Sequence, residues 1–450
     1  RFDQQRAAIP DLAEWQRPEA HLYRFRLLEQ PLFVHGGRLS MLDVAATYNS
    51  ILAPGNNSPH RSTLSVIKEI RVVDALTLEF VLKRADPFFP SYLVSGILPA
   101  ELIDSGHDFS TRPVGSGRFR LLRRDASKVL LLRSRDQQKV ELVLVKDPAI
   151  RVLKLLRGEI QLLQNDLSPS LLKYLSAQPQ IELSSMPGSN FTYLGFNLEE
   201  NAVADRRIRR AIAHAIDREA LIRYLFLGRA RPANALFPPQ HMLADPGLAQ
   251  IEHDPLLARR LLEEAGYSDQ HPLMLSYKTS SDPFRLRLAT ILQQQLAAVG
   301  IRARIESYDW GTFFGDIKNG NFQLYSLTWV GIKTPDSFRY IFHSGSVPPV
   351  GANRGRYSSQ QVDSLIESAE ALAQVEQQLP LYRELQRLLL NELPYVPLWY
   401  EEQVVAWRHH EVAGYEVTVD GNYDGLENIE WIEPRTRADV ELSSASPHSG

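Results

Sequence analysis

Segments with the two-residue period of a β-strand alternate along this chain with segments that have the period of an α-helix. The stretches His21–Leu28 and Thr77–Lys83 place an apolar side chain at every second position, as half-buried strands do. At helical spacing, Ile208, Ile212 and Ile216 fall on one face. Because the two patterns alternate along the chain, the sequence predicts an α/β or α+β fold.

Capping residues predict where some of these helices begin and end. Asp205 is suited to cap a helix predicted over Ala204–Ile222, whose arginines and His214 we expect largely on a solvated face. Gly300 ends a later helix, and a strand is predicted to follow from Ile301 to Ser307. The polar segment 434–450 is predicted to be disordered.

Composition excludes several classes of function. A chain of 450 residues allows two or three domains. Its net charge of -3 provides no basic field for nucleic acid, so we expect no nucleic-acid partner. The absence of cysteine excludes disulfides and thiolate metal sites. No apolar run reaches the roughly 18 residues of a membrane span, so we expect a protein at most peripheral to a membrane.

Motifs that carry catalysis are missing from the sequence. It contains no GxSxG, HExxH or Walker A pattern. The glycines of Val114–Phe119 are more typical of a turn than of a phosphate cradle, and Glu401–Glu402 is interpreted as a surface pair of carboxylates. We therefore predict no catalytic residues, no metal, no cofactor and no enzymatic activity.

Several stretches together resemble one family, the extracytoplasmic solute-binding proteins (family 5) of peptide-type ABC importers, which includes dipeptide-, oligopeptide- and nickel-binding proteins. The resemblance extends from about Ile9 to Ile432. The stretches that carry it are "PDLAEW" (10–15), "PVGSGRF" (113–119), "YLGFN" (193–197), "ADRRIRRAIAHAIDRE" (204–219), "DPLLARRLLEEAGY" (254–267), "YSSQQVDSLIESA" (357–369) and "LPYVPLWY" (393–400).

The resemblance implies an α/β, periplasmic-binding-protein-like fold in which two lobes, joined by hinge crossings, close around a ligand cleft. We expect residues 1–190 plus 402–450 in the first lobe and 191–401 in the second, with a strand of the first lobe preceding the sequence given. The implied function is capture of a peptide or modified peptide and its delivery to the permease subunits of an ABC importer. We expect a periplasmic monomer.

The family also suggests ligand-binding residues. The stretch Ser326–Gly345 corresponds to a ligand loop, in which Trp329 is either a cleft wall or core. Peptide-binding relatives place an amine-pairing aspartate where this chain has Thr334, so either another acid pairs with the ligand amine or the ligand is not anchored by one. Arg287 is either a partner of the ligand carboxylate or an exposed arginine. The remaining residues of the predicted site are Asn197, Gly331 and Asp336.

Two other functions stay open. A domain of the same fold can sense a ligand for signalling or regulation, and such a domain is normally fused to a helix-turn-helix, which this sequence does not show. A hydrolase of small amides is the candidate from another class, and turnover of a bound ligand would favour it.

Overall fold

A computed structural model describes residues 2–3, 7–56, 58 and 60–432 of the chain, and the predicted disordered tail lies outside these residues. Helices and strands alternate along the chain, as predicted. The strands are β1 (Ala13–Glu19), β2 (Leu22–Leu27), β3 (Ile67–Val72), β4 (Thr77–Leu82), β5 (Phe119–Arg124), β6 (Lys128–Arg133), β7 (Lys139–Val143), β8 (Leu162–Gln164), β9 (Ile181–Phe196), β10 (Ala230–Pro232), β11 (Leu273–Ser280), β12 (Ile301–Tyr308), β13 (Leu324–Trp329), β14 (Tyr395–Arg408), β15 (Val412–Ala413) and β16 (Glu430–Trp431).

The helices follow the predicted starts and stops in most places. They are α1 (Met41–Leu52), α2 (Arg61–Leu64), α3 (Phe89–Tyr92), α4 (Ala100–Asp104), α5 (Pro148–Leu156), α6 (Pro169–Ser176), α7 (Asn201–Ala204), α8 (Arg206–Ala215), α9 (Arg218–Ala220), α10 (Pro255–Glu264), α11 (Pro283–Ala297), α12 (Trp310–Asn319), α13 (Asp336–Phe342), α14 (Gln360–Ala371) and α15 (Val375–Glu392).

The helix predicted over Ala204–Ile222 is interrupted. Ile216 has extended backbone angles, and the Asp217 side chain accepts a hydrogen bond from the amide of Ala220, which starts α9. The expected solvated face of this segment is also wrong in part. Arg209 and Arg218 are 6% and 5% exposed and donate to backbone carbonyls. Their guanidinium groups donate to carbonyl groups at the ends of helices and strands, including the carbonyl of Leu393 just after α15.

An antiparallel sheet of order β1-β2-β4-β3 occupies the N-terminal part of the chain. In β2 the side chains are alternately buried and exposed, and Tyr23, Phe25 and Leu27 point into the core. This core is continuous with buried side chains of the helices α13 and α15, such as Phe338 and Tyr382. The N-terminal sheet, which we assigned to the first lobe, therefore shares a hydrophobic core with residues assigned to the second, and the predicted lobe division stays a prediction.

The central sheet has the order β10-β14-β9-β13-β11-β12, with β8 pairing with β14 outside this path. Strands β11 and β12 are parallel and α11 connects them, so this part is a βαβ unit. The turn after α11 contains Gly300 with φ +96°, in the left-handed region that favours glycine, and β12 begins at Ile301 as predicted.

Two long strands, β9 and β14, connect the two ends of the molecule. The first half of β9 pairs with the second half of β14, beside β8, and packs with α5 and α6. The second half of β9 pairs with the first half of β14 and with β13. Between the halves the register shifts, since Glu401 is opposite Asn190 whereas Glu402 is opposite Pro187. Both strands therefore change pairing within a few residues of the predicted crossings at 190/191 and 401/402.

The segment after the second crossing packs on the sheet β5-β6-β7 rather than on the second half of β9. The buried Arg133 donates to the carbonyls of Leu426, Glu427 and Ile429 at 3.1, 2.9 and 2.6 Å. These three hydrogen bonds hold the segment 426–429 against β6. The assignment of the C-terminal segment to the first lobe stays a prediction.

Candidate functional site

A cleft of about 750 Å³ lies at the crossing of β9 and β14. One side comes from the starts of α5 and α6, within residues 147–172, and the other from residues 279–285 and 310–330. The crossing itself contributes Asn190 and the stretch 401–404. The size is in the range of clefts that enclose a small molecule, and the position is the one expected for a ligand held between two bodies joined by a hinge.

Two neighbouring carboxylates line the cleft at the register shift between β9 and β14. In a regular strand Glu401 and Glu402 would point to opposite faces. Gly188 and Ser189 bulge out of β9 between the paired residues, and both glutamates line the cleft with side chains about one quarter exposed. Gly188 is required here, because a Cβ atom at this position would lie 2.4 Å from the carbonyl oxygen of Glu401.

Glu401 is the better satisfied of the two carboxylates. It accepts hydrogen bonds from Thr192 Oγ1 at 3.0 Å and from Trp399 Nε1 at 3.4 Å. Thr192 is itself 2.7 Å from the hydroxyl of Thr328 on β13. The closest cation is Arg285, whose Nη1 is 3.9 Å from Glu401 Oε1. These hydrogen bonds hold the Glu401 side chain in place, and the 3.9 Å contact with Arg285 contributes little.

Glu402 lies near two arginines, Arg229 at ion-pair distance and Arg231 farther away. Its Oε2 lies 3.6 Å from Nη1 of Arg229, beyond hydrogen-bonding distance, and the two side chains are 24% and 30% exposed. A pair at this separation in a solvent-accessible cleft is weak. Glu402 therefore keeps oxygen atoms available for a donor from a ligand, and Arg229 keeps N–H groups available for an acceptor.

Three helices begin at the cleft wall, each with a capping side chain followed by proline. The caps are Asp147, Ser168 and Asp282, which accept from backbone amides of the first turn at 2.9, 3.5 and 2.9 Å. The caps use one backbone donor of each helix and leave others facing the cleft region. The cleft lining therefore combines acidic, basic and backbone N–H groups with apolar side chains such as Phe284 and Phe313.

The edge of β13 that faces β11 is largely unpaired. In the described part of the chain, β13 pairs with β11 at Leu324 and Tyr325, opposite Tyr277 and Lys278. The following residues of β13, 326–328, line the cleft together with Val330. An unpaired strand edge offers a row of backbone donors and acceptors to a further extended chain.

The predicted site residues on α11 and β9 do not line this cleft. Arg287 is exposed, two residues along α11 from Arg285, so the two side chains point in different directions and Arg285 is the one that lines the cleft. Asn197 is buried, and its amide group donates to the carbonyl of Gly320 at 2.9 Å. Asn197 thus links β9 to the end of α12, and the ligand role of both residues stays a prediction.

Trp329 lies on the opposite face of β13 from Thr328, which lines the cleft. Its ring stacks on Tyr193 with 6.3 Å between ring centres, and the guanidinium carbon of Arg354 lies 4.4 Å above it. Trp329 also packs against the large core that contains Tyr325, which agrees with the core alternative for this residue. Gly331 is exposed with φ +74° and is not part of the cleft lining.

The side chains of Thr334 and Asp336 lie outside this cleft. The Thr334 hydroxyl donates to Asp336 Oδ1 at 2.5 Å, and Thr63 donates to Oδ2 at 3.1 Å. Asp336 lines a second pocket of about 420 Å³ between the residues 63–92 and the helices α13–α15. The structure therefore does not bring the six predicted residues together in one site.

Sequence reasoning missed Glu401, Glu402, Arg229 and Arg285. The interpretation of Glu401–Glu402 as a surface pair is wrong, because both side chains line the cleft at the strand crossing. Their position at the predicted 401/402 crossing was the signal that could have identified them. Among the described residues, no group of three or more His, Cys, Asp or Glu side chains could hold a metal ion.

Comparisons with known proteins agree with this arrangement. Residues 7–348 match the family described as bacterial extracellular solute-binding proteins, family 5. The di/tripeptide-binding protein 2 of Pseudomonas aeruginosa is 29% identical over 375 residues, which cover 78% of this chain and 70% of the relative. The dipeptide-binding protein of Escherichia coli is 26% identical over 385 residues, which cover 81% and 71% of the two chains.

Solved structures show the same fold. NikZ from Campylobacter jejuni, in complex with Ni(L-His), superposes with a TM-score of 0.85 at 21% identity, covering 95% of this chain and 92% of that one. The periplasmic binding protein DppA from Helicobacter pylori, in complex with the peptide STSA, has a TM-score of 0.81 at 24% identity and covers 96% and 91%. The predicted two-lobe, periplasmic-binding-protein-like α/β fold is confirmed. Since the family match spans most of the chain, the protein belongs to the bacterial extracellular solute-binding proteins of family 5.

Proposed function

We propose that this protein captures a short peptide in the cleft at the strand crossing and delivers it to the permease subunits of an ABC importer. The observation that carries the proposal is the unpaired edge of β13 inside the cleft. A peptide in extended form can add to this edge as a further strand, and backbone hydrogen bonds of this kind recognise any peptide regardless of its side chains.

The charged groups of the cleft suit the two ends of such a peptide. Arg285 makes only a 3.9 Å contact with a glutamate that already has two other donors, so its fork is available for a ligand carboxylate. Glu402 is 3.6 Å from Arg229, beyond hydrogen-bonding distance, so its oxygen atoms are suited to accept from a ligand ammonium group. A peptide with both ends free would engage both residues without leaving a buried charge unpaired.

The presence of these acids bears on the two alternatives for ligand recognition. Thr334 hydrogen-bonds Asp336 and lies outside the cleft lining, whereas Glu401 and Glu402 lie inside it. This supports the alternative in which another acid, Glu402, pairs with the ligand amine. The hypothesis of a ligand without a free amine is then the weaker of the two.

The relatives' names support a peptide ligand, since both of the curated relatives described above are named as di- or tripeptide-binding proteins. The capture model also includes the two lobes, with β9 and β14 as the hinge, a periplasmic location and a monomer. Among the described residues, no helix is both long and apolar enough to cross a membrane. We expect no chemical change in the ligand, as in a carrier.

Native mass spectrometry of the protein purified without refolding tests the proposal directly. The expected result is a bound species that fragments as a short peptide. Calorimetry should then show that trialanine binds, and that blocking both of its ends weakens binding by well over tenfold. A co-purified ligand that is not a peptide, or turnover of the bound peptide, would contradict the proposal, and turnover would favour the hydrolase alternative.

A further inference from the structure

An ion pair joins the two walls of the cleft. Lys333 Nζ lies 2.5 Å from Asp420 Oδ2, and the two side chains are 25% and 14% exposed. Lys333 belongs to the loop that follows Val330, whereas Asp420 belongs to a turn near the end of the described chain. A charged hydrogen bond this short, between two largely buried side chains, is stronger than an ion pair on the open surface.

The turn that carries Asp420 is fixed to the wall formed by α5 and α6. Gln164, at the end of β8, donates to the carbonyls of Gly421 and Asn422 at 2.6 and 3.1 Å. Strand β8 itself packs with α5 and α6. The Thr418 hydroxyl donates to Asp420 Oδ1 at 2.9 Å and orients the carboxylate within the turn. The position of the carboxylate is therefore set by this wall.

The loop that carries Lys333 is fixed to the opposite wall. Ile332 is 6% exposed and lies in the core that contains buried side chains of α13 and α15. Nε2 of the buried His241 donates to the backbone carbonyl of Lys333 at 2.9 Å. Val330, three residues earlier, lines the cleft. A movement of this wall away from the other must therefore carry Lys333 away from Asp420.

Both members of the pair are charged at neutral pH. Burial opposes ionisation of Asp420, but the hydrogen bond and charge of Lys333 hold the pKa of this carboxyl below its usual value, together with hydrogen bonds from Thr418 and Asn422. The ring centre of Phe2 lies 4.7 Å from Lys333 Nζ, and an aromatic face tolerates a cation. The contact is therefore an ion pair rather than a neutral hydrogen bond.

We propose that Lys333 and Asp420 form a latch that holds the cleft closed and slows the release of a captured peptide. Strands β9 and β14 connect the walls in every conformation, whereas this pair forms only when the walls are close together. Loss of one partner leaves the other desolvated without its counter-charge, which destabilises the closed form more than the open form. The latch rests on the proposed function, since it acts on peptide release, but the pair itself can be tested without a peptide.

Carbodiimide crosslinking followed by mass spectrometry tests the pair in the full chain with no ligand added. The Lys333 ammonium and the Asp420 carboxylate form an amide and the reagent takes up the water that is lost, so only groups in direct contact are joined. We expect this linkage in the wild type. The crosslinked protein should have a smaller radius of gyration than Lys333→Met after the same treatment, because the variant cannot form the linkage.

A second ion pair serves as the internal control for this reaction. Lys128 Nζ lies 2.7 Å from Glu141 Oε1, and both residues belong to the sheet β5-β6-β7, so their linkage should not depend on closure of the cleft. The latch is overturned if no linkage forms between Lys333 and Asp420. It is also overturned if the crosslinked wild type and the treated Lys333→Met variant have equal radii of gyration.

Stopped-flow kinetics with trialanine tests the effect on release. Lys333→Met and Asp420→Asn should each speed dissociation about fivefold or more and leave association nearly unchanged, because the peptide enters through the open cleft. The double variant should release the peptide no faster than the faster single variant, since both changes remove the same interaction. Lys128→Met, at the control pair, should have the rates of the wild type.

The two experiments separate the latch from the proposed function. If the wild type forms the crosslink and becomes more compact but does not bind trialanine, the pair still joins the walls, and peptide capture is the proposal that fails. If trialanine binds and leaves both single variants at the wild-type rate, the latch is overturned while peptide capture stands. A double variant whose effect on dissociation is the product of the two single effects would also overturn the latch.

Discussion

Arg285 Nη1 lies 3.9 Å from Glu401 Oε1 at the point where β14 crosses from one half of the molecule to the other. The separation is at the limit of an ion pair, and Glu401 already accepts hydrogen bonds from Thr192 and Trp399. The guanidinium group of Arg285 is therefore held at the cleft, and Glu401 does not occupy its N–H donors. The same helix carries Arg287, which is exposed and outside the cleft.

The first prediction compares these two arginines. Arg285→Gln should reduce the affinity for a tripeptide with a free carboxylate by about tenfold or more, because a charged hydrogen bond is lost. Arg287→Gln is the matched control on the same helix and should have little effect. Calorimetry with trialanine and its C-terminal amide measures both variants. If Arg287→Gln reduces affinity and Arg285→Gln does not, the assignment made from the family resemblance is the right one.

The second prediction concerns Glu402. Replacing it by Gln should weaken binding of trialanine by about tenfold and leave binding of N-acetyl-trialanine unchanged, since only the former has an ammonium group. Glu263→Gln, at an exposed acid on α10, serves as the control. Wild-type protein that prefers the acetylated peptide would contradict this role and would support a ligand without a free amine.

The sequence predicted the course of the chain better than the direction of its side chains. Strand periodicity located β2 and β4 closely, and the Gly300 signal located the turn from α11 to β12, because burial of one face and local backbone conformation decide these elements. The break at Ile216–Asp217 was missed, since Asp217 acts there as the cap of a new helix rather than as one more helical residue. The burial of Arg209 depends on carbonyls more than 180 residues away, which no local pattern reveals.

The site was the least predictable part for a related physical reason. A two-residue period assigns Glu401 and Glu402 to opposite faces, whereas both line the cleft at the register shift opposite Gly188. Similarly, Thr334 and Asp336 lie close together in the loop after Trp329, but the pocket that Asp336 lines is completed by residues 63–92, more than 240 positions away in sequence. Distant contacts of this kind are set by packing, not by local sequence.

The third prediction concerns closure. If β9 and β14 are the hinge between two lobes, binding of trialanine should bring the lobes together and reduce the radius of gyration in small-angle scattering. The Arg285→Gln variant is measured at the same peptide concentration, chosen so that its cleft is largely empty. It should then retain the larger radius of gyration. A radius that stays constant when the wild type is saturated with peptide would contradict the two-lobe capture model.

The last prediction concerns the pH dependence of stability at Asp86. Burial is the main cause that raises the pKa of this carboxyl from 3.8 to about 6, against the backbone hydrogen bond from Phe88 and the nearby Arg84, which lower it. A hydrogen bond from the Tyr92 hydroxyl also lowers this pKa, the charge of Asp336 raises it, and Tyr382 lies nearby. Between about pH 4 and about pH 6 the folded protein holds a proton that the unfolded chain has released. The free energy of unfolding contributed by this group therefore falls as pH rises, by roughly 2–3 kcal/mol in total.

Asp86→Asn removes this titration, because asparagine carries no charge at any of these pH values. Relative to the wild type, the variant should gain about 2–3 kcal/mol in free energy of unfolding between about pH 4 and about pH 7. Urea denaturation at intervals across this range measures the difference, and taking the difference cancels carboxylates with lowered pKa, such as Asp136, which titrate in both proteins. Asp104→Asn should give a profile parallel to the wild type. If the Asp86→Asn profile is also parallel, Asp86 is ionised in the folded protein at low pH, and a cation must neutralise it there.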